Sequence, residues 1–247
     1  MLKIENVTTA GWEAAIRGMR NPMNSWHLSD SLFGVNCSKD YASCDECPIE
    51  NKTSYCSAYL NDVVIGPKDH KLMMNLRNAG SDHRKYMRMI IVWCDITAPL
   101  YWWKEFDTYK VGTVANSCST MHKIHAKEFE RDDFSHELLL DEVIGKYPTG
   151  EKENFVYFSS PLATLDKTIE TLNVCREKYL ATQDKKYFDQ MIQSLPSTYN
   201  QRRTVMLSYE VLANMHPARK NHKLAEWREF CQWVETLPYS EIITGEA

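Results

Sequence analysis

Between residues 100 and 125 the chain reads LYWWKEFDTYKVGTVANSCSTMHKIH, which gathers aromatic rings, lysines, hydroxyls, a thiol and two imidazoles in one segment. Tyr101, Trp102 and Trp103 supply apolar mass for a core, or for a wall on which a planar ligand stacks. Lys104, Thr108, Lys110, Thr113, Ser117, Ser119 and Thr120 are side-chain types that hold phosphate oxygens, the lysines by charge and the hydroxyls by hydrogen bonds. Phosphate is the chemistry this run points to, beside the plainer reading of packed aromatics and solvated polar residues. Cys118 and His122 stand four apart, a spacing that puts both on one helical face, and a Cys–His pair is the minimum apparatus for a thiolate nucleophile. His122 and His125 form H-x-x-H, which also admits a shared metal.

A second cluster is Cys37, Cys44, Cys47 and Cys56, spaced C-x6-C-x2-C-x8-C. The inner pair suits two thiolates on a tight knuckle around tetrahedral zinc, and the outer pair could complete the shell. Four thiolates equally suit an iron–sulfur cluster, and the spacing does not separate the two. Disulfides or unpaired surface thiols are the remaining readings. A metal here would be structural, because four thiolates leave zinc no open position.

These groups sit in a chain of 247 residues, 43% apolar and 25% charged, with nine glycines, long enough to bury a substantial core. The net charge of -4 and pI near 6.1 argue against a surface that binds long nucleic acid. No window approaches the roughly 18 consecutive apolar residues of a membrane span, and the first residues lack the layout of a signal peptide. A cytoplasmic protein is expected, a reducing setting in which clustered cysteines more often bind metal than pair.

Several elements must position the motif residues. MLKIENVTT predicts a first strand, and GWEAAIRGMR a short helix ended by Asn21 and Pro22. Residues 21–65 lack sustained periodicity and read as a long loop, with a Cys-rich insertion at about 30–62. Residues 66–80 predict a helix with Pro67 in its first turn and Gly80 as its cap. Residues 87–96 have the content of a buried strand. Ser160-Pro161 starts a helix carrying Leu165, Ile169, Leu172 and Cys175, and Phe188, Met191, Ile192 and Leu195 repeat the stripe up to Pro196. Further helices are expected at 201–216, with Val205, Tyr209 and Leu212 along one side, and at 222–236, with an apolar stripe of Leu224, Trp227, Phe230, Cys231 and Val234. With no repeat of 20 to 50 residues, the whole chain 1–247 reads as one α+β domain.

The run at 104–121 resembles the signature of the flavin-dependent thymidylate synthases, RHRxxSxNExSxRY with a preceding arginine–glutamine pair. Laid down without a gap, Lys104 and Glu105 fall on that pair, and Thr108, Tyr109 and Lys110 on the RHR triplet. Thr113 falls on the first serine, Ala115 and Asn116 on the asparagine–glutamate pair, Cys118 on the second serine, and Thr120 and Met121 on the final arginine–tyrosine. A family LP dipeptide and the helix after it are matched at Leu195, Pro196, Leu212, Asn214 and Arg219. The resemblance covers about residues 1–20 and 66–236 and leaves out the cysteine loop.

The resemblance implies a mixed or antiparallel sheet flanked by helices. It also implies a homotetramer and methylation of dUMP to dTMP, with carbon from methylenetetrahydrofolate and hydride from FAD reduced by NADPH. Arg219 matches the arginine that contacts the nucleotide base. The rest of the motif, from Lys104 through Glu105, Thr108, Tyr109, Lys110, Thr113, Asn116, Ser117, Cys118 and Ser119 to Thr120, would line the nucleotide and flavin. The charges depart from the family pattern. Only Lys110 keeps a positive charge in the triplet, Thr120 replaces the arginine that grips the nucleotide phosphate, and Ile192 and Glu210 stand where the family has arginines. These losses leave an alternative: a catalytically inactive module of the same fold that binds nucleotide or protein, with a metal-tied cysteine loop.

Overall fold

A computed structural model describes residues 2–33, 63–144, 146–148, 155–157 and 160–245. The four cysteines of the predicted cluster lie outside the described residues. In chain order the elements are β1 (Lys3–Ala10), α1 (Trp12–Arg20), β2 (Leu32–Phe33), β3 (Val63–Val64), α2 (Pro67–Asn78), β4 (Ile91–Pro99) and α3 (Leu100–Phe106). There follow β5 (Thr113–Ser117), α4 (Thr120–Lys123), β6 (Lys146–Pro148), β7 (Phe155–Tyr157), α5 (Pro161–Thr182) and α6 (Lys185–Ser194). The chain ends in β8 (Asn200–Ser208), α7 (Tyr209–Arg219), α8 (Ala225–Val234) and α9 (Glu241–Thr244). Among the described residues no helix is long and apolar enough to cross a membrane.

Four strands form one sheet in the order β1-β4-β8-β5. The Ser208 amide donates to the Gly112 carbonyl and the Cys118 amide to the Arg202 carbonyl, so β8 and β5 run antiparallel. Bonds from Tyr209 to Ile90 and from Leu100 to Tyr199 make β8 antiparallel to β4 in the same way. Alternation along β4 buries Val92, Cys94, Ile96 and Ala98, and along β8 it buries Val205 and Leu207. The register of those bonds sets Trp93, Met206 and Val114 in a row on the opposite face, where Trp93 is 39% and Val114 60% exposed.

By its contacts the chain divides into two compact units. The first comprises residues 1–3, 96–108 and 116–203. Its core is the apolar stripe read from the sequence: Leu165, Leu172 and Met191 are buried with Phe129 and Phe134, and Ile169, Phe188 and Leu195 pack against them. Ser160 caps α5 by accepting from the Ala163 amide, and Pro161 takes the first helical position, where its missing N–H costs nothing. In α3, Trp102, Trp103 and Phe106 are all buried, with ring centroids 4.9–5.1 Å apart.

The second unit comprises residues 4–95, 109–115 and 204–247. Trp12 meets the Tyr209 ring edge-on at 5.1 Å, and the Tyr209 hydroxyl donates to the Pro238 carbonyl. Gly11 has φ +95°, and a Cβ there would fall 1.9 Å from the Met89 carbonyl oxygen, so only glycine fits. At the foot of the short β2–β3 pairing, Asp30 accepts from the Lys68 and Asp69 amides at the start of α2.

Two expectations need correction. Residues 201–208 are not the start of a helix but most of β8, in which Val205 and Leu207 are buried, and Ser208 then caps α7 by accepting from the Val211 amide. The strand expected at 87–96 is β4 at 91–99, preceded by a 3-10 turn over Arg84–Arg88 in which the Tyr86 hydroxyl donates to the Met73 carbonyl.

Helix α9 is tied to α2 by His70 Nε2, 2.7 Å from Glu241 Oε1. The hydrogen bond to Glu241 raises the His70 pKa; burial would raise that of Glu241, but the His70 bond, a backbone hydrogen bond and the His70 charge together outweigh it and lower it. The His70 contribution is complete below its ordinary 6.5 and lost as pH rises through the raised folded value. The Glu241 contribution is complete above its ordinary 4.5 and lost as pH falls through the lowered one. His70→Gln is therefore expected to lower stability by no more than about 1 kcal/mol, the pair being partly exposed. Melting curves against pH should show the gap to the wild type widest between 4.5 and 6.5 and closing above and below.

Candidate functional site

In the second unit the best-formed cluster of predicted residues surrounds Arg219, in the last turn of α7, where the helix dipole favours a cation. Its Nε donates to the Tyr109 hydroxyl at 2.9 Å. The guanidinium carbon lies 4.5 Å from the centroid of Trp227 on α8 and 5.4 Å from that of Tyr109. Trp227 is fully buried and meets the edges of Tyr109 at 6.1 Å and Phe230 at 5.7 Å, so the platform beneath the arginine is rigid. Cation–π contacts of this kind are worth about 0.5–2 kcal/mol.

Tyr109 is itself held. Its carbonyl accepts a short hydrogen bond from the Thr113 hydroxyl, and the turn between them uses Gly112 at φ +79°. Lys110 stands exposed beside that turn. Thus Tyr109, Thr113 and Arg219, picked from the sequence as separate positions, meet in one network.

Glu210, in the first turn of α7, accepts from Arg88 Nε and Nη2 at 2.5 and 3.0 Å and lies 3.8 Å from Arg84 Nε. Arg84 Nη2 also donates to Asn214 Oδ1. The glutamate standing where the resemblance implies an arginine therefore has two arginines of its own, from the 3-10 turn before β4. Sequence reasoning missed both, since partners 122 or more positions apart leave no local pattern.

In the first unit, Lys104, Thr108, Asn116, Ser117, Cys118 and Ser119 are exposed, and Glu105 and Thr120 half-buried. The Thr108 hydroxyl donates to the Glu105 carbonyl, and Ser119 caps α4 by accepting from the His122 amide. Cys118 precedes α4, so it does not share a helical face with His122, as the four-residue spacing had implied. Its backbone belongs to the sheet edge: the amide donates to Arg202 and the carbonyl accepts from Gln201 Nε2. Elsewhere burial pushes the Cys94 and Cys231 thiols up to about 12 and about 11, which keeps them protonated and inert.

Arg203 was also missed, lying inside the supposed helix at 201–216. Its guanidinium stacks on Trp103 at 4.1 Å, its Nη1 donates to Asp107 at 2.7 Å and its Nε to Gln201 Oε1 at 3.0 Å. The pairing with Asp107 neutralises its charge locally. Among the described residues no group of three or more His, Cys, Asp or Glu is placed to hold a metal, so His122 and His125 do not form such a site there.

No family model matches the sequence, and no curated protein does. Solved structures do match over nearly the whole chain. Thymidylate synthase X (ThyX) from Helicobacter pylori, in complex with FAD and dUMP, aligns with a TM-score of 0.59 at 14% identity, covering 98% of this chain and 96% of that one. A second complex of the flavin-dependent enzyme from that organism gives 0.57 at 15%, over 96% and 95% of the two chains. The UMP/dUMP methylase PolB from Streptomyces cacaoi, bound with 5-Br dUMP, gives 0.54 at 13%, over 99% and 95%. At these identities the likeness establishes the fold. The chain has the α+β fold of the flavin-dependent thymidylate synthases, as its motif residues led one to expect.

Proposed function

We propose that this chain binds a dUMP-like pyrimidine nucleotide and, with FAD, methylates it or carries out a closely related reaction. The observation that carries the reading is Arg219 clamped on Trp227 and Tyr109, in a fold whose solved neighbours hold dUMP or 5-Br dUMP. Arg219 donates to the base; Asn116, Ser117, Ser119 and Thr120 are neutral donors and acceptors that the motif register alone assigns to the nucleotide.

The exposed amine of Lys110, beside the turn at Gly112, is a donor type that binds pyrophosphate as a point charge, and on that ground the residues fit FAD. Lys110 would hold it; Lys104, Glu105 and Thr108 are assigned to it by the motif register alone. When bound, FAD supplies the hydride for the transferred carbon. The protein's own part is to fix the base and keep it aligned. No cysteine nucleophile is invoked, and Cys118 serves as a lining residue.

Titration with FAD tests this reading. Saturable binding with a flavin absorbance change is expected, weakened about 3–10-fold by Lys110→Ala, which removes one charged contact that solvent screens because Lys110 is exposed. Failure of FAD to bind the wild type would remove the flavin from the proposal and leave the second reading.

That second reading is a nucleotide-binding or protein-interaction module without catalysis. It is favoured by the way local charge is used: Glu210 holds Arg84 and Arg88, and Arg203 is committed to Asp107 and Trp103. Under either reading we assign zinc or an iron–sulfur cluster to Cys37, Cys44, Cys47 and Cys56 on spacing alone. Association into a homo-oligomer, a tetramer by resemblance, is supported by the uncovered row of Trp93 and Val114.

A further inference from the structure

Three features set the attitude of the Arg219 side chain. The buried face of Trp227 lies under its guanidinium at 4.5 Å, the Tyr109 ring stands 5.4 Å away, and the Tyr109 hydroxyl accepts from Nε at 2.9 Å. An arginine with its stem and head loose has about 2 kcal/mol of rotamer entropy to lose when it grips a ligand. One that is stacked and hydrogen-bonded beforehand has lost most of it on folding, so its contact with ligand costs less. The arrangement also fixes a plane. A stacked guanidinium presents its donors edge-on, in one plane, where the carbonyl-bearing edge of a flat base can meet them.

Tyr109 is well placed to set that plane. Its ring meets Trp227 edge-on at 6.1 Å, and its own carbonyl is tied to Thr113, so moving the ring would disturb the turn at Gly112. By resemblance Tyr109 falls among residues that touch flavin. Its observed bonding is to the arginine.

We propose that Tyr109 is a positioning residue: its hydroxyl holds the Arg219 guanidinium in the plane of a pyrimidine base, and it acts on nucleotide affinity through Arg219. The proposal rests on the nucleotide reading above and assigns Tyr109 a role within it that the sequence did not.

A double-mutant cycle on the full chain tests it, with dUMP as the calorimetric titrant. The four proteins are the wild type, Tyr109→Phe, Arg219→Lys and the double variant. Phenylalanine keeps the ring and removes the hydroxyl that accepts from Nε; lysine keeps the charge but has no Nε in that plane. Tyr109→Phe alone is expected to weaken dUMP binding by about 3–10-fold, the net worth of one ordinary hydrogen bond, because the hydroxyl acts on the ligand only through Arg219. In the Arg219→Lys background the same change should alter affinity by less than about twofold, because interacting residues are not additive. Thermal unfolding of each variant verifies that the fold is kept.

Equal weakening by Tyr109→Phe in both backgrounds would overturn the proposal, since Tyr109 would then act independently of Arg219. So would an undiminished affinity in Tyr109→Phe alone. Either result leaves the nucleotide reading intact. A wild type that does not bind dUMP removes both together.

Discussion

Replacing Asp69 with alanine is expected to destabilise the protein by about 3–5 kcal/mol, the range for breaking a buried ion pair by removing one partner. The carboxylate is fully buried. Arg20 Nε donates to its Oδ1 at 2.6 Å, while Oδ2 accepts from the hydroxyls of Ser29 at 2.6 Å and Ser31 at 2.7 Å and from the amides of Asp30 and Ser31 at 3.1 Å. Removing it strands a guanidinium whose side chain is only 5% exposed, left with the Ser25 and Leu28 carbonyls as partners. It also releases the residues at the foot of the β2–β3 pairing.

Denaturant midpoints would measure the loss, and pH provides an internal control. Burial alone would raise the Asp69 carboxyl, but the hydrogen bonds from Ser29, Ser31 and Arg20 outweigh it and hold the pKa below the ordinary 3.8. A lowered folded pKa gives stability that is complete above the ordinary value and lost as pH falls through the folded one. The wild-type advantage over Asp69→Ala should therefore be full at neutral pH and shrink only in strong acid. Changing both partners to apolar residues, Arg20→Met with Asp69→Leu, should recover much of the loss, because no unpaired charge then remains. A single-variant loss under about 1 kcal/mol would mean that water reaches the site and relieves it.

How far these features could be read beforehand depends on whether their cause is local. The α5–α6 hairpin was legible because Leu165, Ile169 and Leu172 repeat at helical spacing and Ser160-Pro161 marks the start. Strand β8 was not, because Val205, Tyr209 and Leu212 happen to follow a helical interval across a strand-to-helix junction at Ser208. Thr204 to Ser208 reads T-V-M-L-S, three apolar residues in a row, so no polar–apolar alternation marks the strand in the sequence. β5 was missed for a related reason: it is an edge strand exposed over most of its length, so no apolar alternation marks it.

The site divides in the same way. Tyr109, Lys110, Thr113 and Arg219 could be picked out from motif register, because a resemblance matches positions one at a time. That Tyr109 and Arg219 touch, 110 positions apart, follows only from the packing of the turn before β5 against α7 and α8. Trp227 was read as one residue of an apolar stripe, and indeed it is core; nothing in that stripe announces a platform for an arginine. The ties of Glu210 to Arg84 and Arg88 invert the meaning of a position that the motif marks as a lost arginine.

The second large effect concerns Arg219. Alanine there removes the charged donor that we propose holds the base, together with its stacking on Trp227, and a hydrogen bond from a charged group contributes about 1.5–3 kcal/mol. The expected loss of dUMP affinity is about 10–100-fold. Stability should change little by comparison, because Arg219 is only half-buried and Trp227 keeps its contacts with Phe230 and Tyr109.

Calorimetric titration of the purified chain with dUMP, wild type against Arg219→Ala, tests the central claim most directly. The account predicts saturable binding by the wild type and a drop of about 10–100-fold in the variant at an unchanged fold. Wild-type protein that ignores dUMP, or a variant that binds it as well as the wild type, would contradict it.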